Sequence, residues 1–170
     1  MKTTLKVLLV AAAFTFTVAG ASAQQLKIGY TNTQQIMMVM PEIPEIEKNL
    51  QSFNEDLNNQ YTALTSEWTT KAQDYQKKMS TYSETVRADK ENELGTLRDR
   101  IAEFEQKAEQ DVTEKRAELL KPVYEKLEAA IKGVSEAEGF SYIFDEPYVL
   151  FINKLIAVDV TPQIKAKLGL

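Results

Sequence analysis

The residue types in this chain narrow its chemistry sharply, because its 170 residues contain neither histidine nor cysteine. That removes Ser-His and Cys-His nucleophilic arrangements, disulfides and the usual zinc ligand sets. Carboxylates and lysines remain, with 25 Asp and Glu against 20 Lys and Arg. A carboxylate pair acting as acid and base needs surroundings that drive the two pKa values apart. No such pair stands in an apolar setting here, so the chain reads as non-enzymatic, with no cofactor and no metal. The unusual spacing belongs to apolar residues instead. Met37, Met38 and Met40 fall within four residues, and Phe53, Tyr61, Trp68, Tyr75 and Tyr82 recur along an otherwise polar stretch. Methionine is flexible and polarizable, and tyrosine and tryptophan tolerate half-wet positions because each carries a polar end. These residues offer adaptable contact rather than bond chemistry.

The elements that must position them follow from periodicity. Ile46, Leu50, Phe53, Leu57, Tyr61, Leu64, Trp68, Ala72, Tyr75, Met79, Tyr82 and Val86 repeat in steps of four, three and four. That is close to 3.67 residues per turn, between a straight helix and a right-handed supercoil. Pro41 and Pro44 with Glu45 and Glu47 mark the start of this helix near Glu45. A second stripe runs through Leu94, Leu97, Ile101, Phe104, Ala108, Val112, Leu119, Val123, Leu127, Ile131 and Val134. Two narrow stripes cover one another best as an antiparallel hairpin, with its tip expected near 82–90. A single unbroken helix over 45–138 is the competing reading. Pro44 and Pro122 are equidistant from residue 83, so both belong at the base of the arm. Pro122 should kink the returning helix, and Gly139 should end it.

Outside this arm (44–121), residues 24–43 and 122–170 read as a small body. Strands are expected at "LKIGY" (26–30), "FSYIFD" (140–145), "YVLFIN" (148–153) and "LIAVDV" (155–160), with Glu146-Pro147 as a turn. Thr161-Pro162 opens a short helix through Leu168. A core that small, with short strands and open edges, calls for an oligomer. Ile28, Tyr30, Tyr142, Phe144, Leu150 and Ile152 are the candidates for building the oligomer body. The fold class is therefore mainly α with a small β body, a long antiparallel helical hairpin on a short-stranded oligomerisation domain.

The first residues are excluded from that fold. Lys2 and Lys6 precede an apolar run, and Ala21-Ser22-Ala23 is a small-residue cleavage site, so a signal peptide over 1–23 with cleavage between Ala23 and Gln24 is expected. The rival is a retained membrane helix. Without the two leader lysines, 18 Lys and Arg face the 25 Asp and Glu, a balance that argues against nucleic acid. The acidity is uneven, and the arm tip, with Lys71, Lys77, Lys78, Arg87, Lys90, Arg98 and Arg100, is the least acidic part. An ordinary solvated surface accounts for that unevenness.

The methionines and the arm aromatics each have two readings. The aromatics either fill the seam between helices or stay partly open to a partner. The methionines either pack beneath the strands or face a second surface. "KIGYTNTQQI", the helical hairpin, "AAIKGVSEAEGFSYIFD" and "VDVTPQIKAKL" together resemble the Skp (OmpH-like) periplasmic chaperones over essentially the whole mature chain. The resemblance implies a jellyfish-like homotrimer whose arms enclose a cavity. It implies ATP-independent holding of unfolded outer-membrane β-barrel proteins in the periplasm. Client contact would then fall to Met37, Met38, Met40, Phe53, Tyr61, Trp68 and Tyr75. The best-known members are strongly basic and this chain is acidic, which argues against lipopolysaccharide or anionic-membrane contact. The alternative function is a periplasmic coiled-coil adaptor that engages one folded partner.

Overall fold

The computed structural model describes residues 26–170, so the expected signal peptide over 1–23 and the expected cleavage between Ala23 and Gln24 lie outside the described residues. Along the chain run β1 (Ile28–Thr31), α1 (Thr33–Met37), α2 (Glu42–Lys78), α3 (Glu84–Glu138), β2 (Tyr142–Asp145), β3 (Ala157–Asp159) and α4 (Thr161–Leu168). Single 3-10 turns occupy Met79–Thr81 and Glu146–Tyr148.

Two long helices make the arm, α2 with 37 residues and α3 with 55. At 1.5 Å per residue they span about 55 and 80 Å. Helix α2 begins at Glu42, three residues earlier than the sequence argument placed it. Pro41 serves as its N-cap residue and Pro44 falls in the first turn, where the missing N–H would have had no intrahelical acceptor. The chain turns at Met79–Ser83 rather than across 82–90. Ser83 caps α3, its Oγ accepting from the Val86 amide at 3.4 Å, and Glu84 occupies the first turn. The polar residues 84–90 are thus helix, because a serine cap and a favourably placed acid start a new helix without glycine or proline. Helix α3 continues through Pro122 and stops at Gly139, whose φ of 70° is left-handed and whose N–H bonds the Ser135 carbonyl.

The stripe residues face the seam as their spacing requires. From Leu50 to Leu64 on α2 and from Leu94 to Val112 on α3 they are at least half-buried, while Trp68, Met79 and Val86 are more exposed.

The sheet has three strands in the order β2-β1-β3, all parallel. Ile28 pairs with Tyr142 and Ala157, and Tyr30 with Phe144 and Asp159. Residues aligned across parallel strands share a face, so Ile28, Tyr30, Tyr142 and Phe144 point one way. The opposite face carries Gly29 and Ile143. A Cβ on Gly29 would stand 3.2 Å from Ile143 and from the Phe140 ring, so glycine permits close packing beneath the strand. On that side lies the body core of Ile36, Leu127, Ala130, Val134, Phe140, Val160 and Ile164. Helix α4 closes it, and the Asp159 carboxylate accepts from the Thr161 amide at its start.

The expected strand over 148–153 does not form. After the turn at Glu146–Tyr148 the chain runs irregularly to β3. It must pass from one flank of β1 to the other, and it does so across the face bearing Ile28 and Phe144 rather than along a sheet edge.

Candidate interaction surfaces

Three surfaces gather the candidate residues, and the methionine segment joins two of them. Asn32 caps α1 by accepting from the Gln35 amide at 2.9 Å, and the chain then leaves the helix after Met37. That break turns the methionines in different directions. Met40 is 1% exposed and packs with Ile46 and Val123 at the arm base. Met37 is half-buried and touches both this cluster and the body core. Met38 is 75% exposed. Of the three, Met40 belongs to the core, and only Met38 and part of Met37 are open to a partner.

The base is also pinned by polar contacts. Asp145, the last residue of β2, accepts from the Thr33 amide at 3.0 Å and from its hydroxyl at 2.5 Å. Buried Thr31 pairs its hydroxyl with that of Thr161 at 3.1 Å. Across the arm base Lys126 donates to Glu42 at 2.5 Å and holds its carboxyl below the usual range.

The second surface is the arm. Phe53, Tyr61 and Tyr75 are half-buried and Trp68 is 36% exposed. With only two helices, each ring packs against one neighbour and keeps a side toward water. The polar ends find carboxylates: Tyr75 donates to Glu91 at 2.5 Å, and Glu105 pushes the Tyr61 phenol above its ordinary value. Between helices lies an open cleft lined by Leu57, Tyr61, Phe104 and Ala108, about 280 Å³ in volume. Near the tip Glu93 binds both Lys71 and Lys90, and these cations hold its pKa down to about 2.

The third surface is the outer sheet face. Tyr142 and Phe144 are 58% and 44% exposed, and their rings stack at 6.1 Å. Tyr30 is buried on this face, with the Lys154 ammonium 5.4 Å from its ring. The connection 148–156 overhangs the strands and walls a cleft of about 600 Å³ with Ile28, Phe144, Leu150 and Ile152. Leu150 is fully exposed, as nearly are Tyr148, Phe151 and Leu155. Leu150 and Ile152 are the oligomer-body candidates that the sequence offered from the expected strand 148–153. Tyr148, Phe151, Leu155 and Ile156, also in expected strands, were not singled out for that surface, although the density of apolar residues in "YVLFINKLI" signals them.

A two-helix arm standing on a small parallel sheet, with half-buried apolar walls and an exposed apolar body face, defines an architecture suited to making contacts. The chain belongs to the OmpH-like outer membrane protein family, whose model matches residues 27–168. It is 27% identical to the chaperone protein Skp of Photorhabdus laumondii over 166 residues, covering 95% of this chain and all of that one. It is 26% identical to the chaperone protein Skp of Photorhabdus luminescens over 165 residues, again covering 95% of this chain and all of the relative. A crystal structure of an OmpH-like protein from Caulobacter crescentus superposes with a TM-score of 0.69 at 17% identity. It covers 84% of this chain and 83% of that one, which shows the shared fold. Among the described residues no helix is long and apolar enough to cross a membrane.

Proposed function

We propose that this protein is an ATP-independent periplasmic holdase, a homotrimer whose arms enclose unfolded outer-membrane β-barrel proteins and prevent their aggregation. The observation that carries this reading is the arm's apolar stripe, half-buried along most of its length with no third layer to complete it. An unfolded barrel strand alternates apolar and polar residues, and no single shaped pocket suits it. Many weak contacts on walls that adjust do, because each contact raises the effective concentration of the next. Trp68, with half-buried Tyr61 and Phe53, supplies such contacts, and exposed Met38 extends them to the arm base.

The body supports assembly. Parallel sheets are ordinarily covered on both faces, whereas this one carries helices on one side and exposed Tyr142, Phe144, Leu150 and Phe151 on the other. A second and third copy covering that face would bring three arms to one side. The family relationship to the Skp chaperones favours the number three and the periplasm. The proposed boundaries are a body of residues 24–43 and 122–170 and an arm of residues 44–121.

The test is light scattering after a urea-unfolded outer-membrane β-barrel protein is diluted into buffer with and without this protein. Suppression near one oligomer per client, without nucleotide, is expected. Continued aggregation at excess protein would overturn the holdase and leave a coiled-coil adaptor with a folded partner as the better account.

A further inference from the structure

We infer that one side of the arm carries a trough for an extended segment of unfolded chain, gripped through its backbone by a rim of amide side chains, Gln51, Asn54 and Asn58. The inference rests on the holdase reading and adds where, and by which groups, the chain is held. Two clefts lie between α2 and α3 and meet at Asn58. The lower one, about 470 Å³, opens beside Leu50, Gln51, Asn54 and Arg116. The upper one is the cleft of about 280 Å³ beside Leu57, Tyr61, Phe104 and Ala108. From Glu47 to Tyr61 the trough runs for about 20 Å at 1.5 Å per residue, the length of roughly six extended residues.

Floor and rim differ in chemistry. The floor is the half-buried stripe itself, Leu50, Leu57, Tyr61, Phe104 and Ala108. Steps of three and four residues put Gln51, Asn54 and Asn58 in line along one face of α2. All three are exposed. Gln51 donates to Glu55 at 2.9 Å, whereas Asn54 and Asn58 bond to no other side chain or carbonyl among the described residues. Farther along α2 the hydroxyls of Thr65 and Thr69 donate to carbonyls of their own helix, so the rim changes character there.

A side-chain amide both donates and accepts, and can therefore bond either the N–H or the C=O of a peptide. Asn54 and Asn58 stand about 6 Å apart along the helix axis, close to the roughly 6.6 Å at which an extended backbone repeats its same-facing groups. With its backbone on the rim, such a segment lays every second side chain on the apolar floor and turns the others to water. That is the alternation of a barrel strand. Backbone groups are common to all unfolded chains, so the grip needs no particular sequence.

Charge selects among occupants. Glu47, Glu55 and Glu105 line the trough against one cation, Arg116. A second copy of the arm would bring the same surplus of carboxylates against this one, and like charges disfavour that pairing. A neutral or basic extended segment fits, and an acidic one does not.

The test is the fluorescence anisotropy of a fluorescein-labelled, urea-unfolded outer-membrane β-barrel protein diluted into this protein. In Asn54→Leu/Asn58→Leu the rim loses its amides and gains apolar surface, while leucine keeps the helix. Binding should weaken about tenfold, as the loss of two ordinary hydrogen bonds implies. Capture by apolar contact alone would leave binding unchanged or tighten it. A photoreactive benzoylphenylalanine replacing Gln51 should cross-link the client, and one replacing Gln60, on the opposite side of α2, far less. A leucine variant that binds as tightly as the original, equal cross-linking from both positions, or cross-links from position 51 to another copy of this chain would overturn the trough while aggregation is still suppressed. If the unaltered protein captures no client in the same assay, the holdase reading itself fails, so the two failures are distinct.

Discussion

The two ends of helix α3 belong to one continuous element and are packed in opposite ways. Toward its C-terminus Val123, Leu127, Ala130 and Val134 are all buried, enclosed by α1, α4 and strand residues. Along Leu94–Val112 the same spacing is covered by a single partner helix, and only Leu97 is fully buried. Stability therefore concentrates at the base and compliance along the arm. The difference lies in how many neighbours each stretch has, since the residue types are alike.

The largest expected effect tests that contrast directly. Ile164→Ala empties a site that is 0% exposed and should cost about 3 kcal/mol. Leu57→Ala on the half-buried arm should cost about 1 kcal/mol, measured by urea unfolding at one fixed protein concentration. Equal costs would erase the distinction between base and arm. The outer sheet face comes next. Leu150→Glu with Phe151→Glu should weaken association about a hundredfold in sedimentation while leaving the helical circular dichroism intact, since neither side chain packs inside the subunit.

Asp145→Ala removes both bonds to Thr33 and should destabilise the base by about 2 kcal/mol, again by urea unfolding. Asp145→Asn keeps one acceptor and should lose less. The smallest effect is at the tip. Glu93 has its pKa lowered from 4.5 to about 2 in the folded protein. The sign is that of a depressed carboxylate: its contribution is fully present above pH 4.5 and is lost as pH falls toward 2. Fluorescence of the sole tryptophan, Trp68, just below the Lys71–Glu93 pair, should stay level through pH 4.5 and shift only as pH approaches the folded-state pKa of about 2. In Glu93→Gln that shift should vanish.

Much of this architecture was legible because helices announce themselves by periodicity. The stripe from Ile46 onward, the stop at Gly139 and the Pro162 helix start all appear where residue chemistry places them. So do three of the four expected strands. The tip was displaced because Ser83 and Glu84 start a helix by capping, a weaker signal than the glycine or proline that usually marks a turn. "YVLFIN" has the composition of a strand, yet in the subunit it crosses the sheet face. Composition records that apolar residues need covering, and it is silent on whether a neighbouring strand or another molecule does so. The same limit applied to the methionines. Their concentration pointed to a junction, but only the break after Met37 decides that Met40 goes inward and Met38 outward.

The central claim is that the uncovered body face assembles copies whose arms together hold one unfolded chain. Native mass spectrometry of the protein, mixed with a barrel protein diluted from urea, addresses both halves at once. The account predicts a homotrimer alone and a trimer carrying one client in the mixture. A monomer in both samples, or a trimer that never acquires client mass while the barrel protein aggregates, would contradict it.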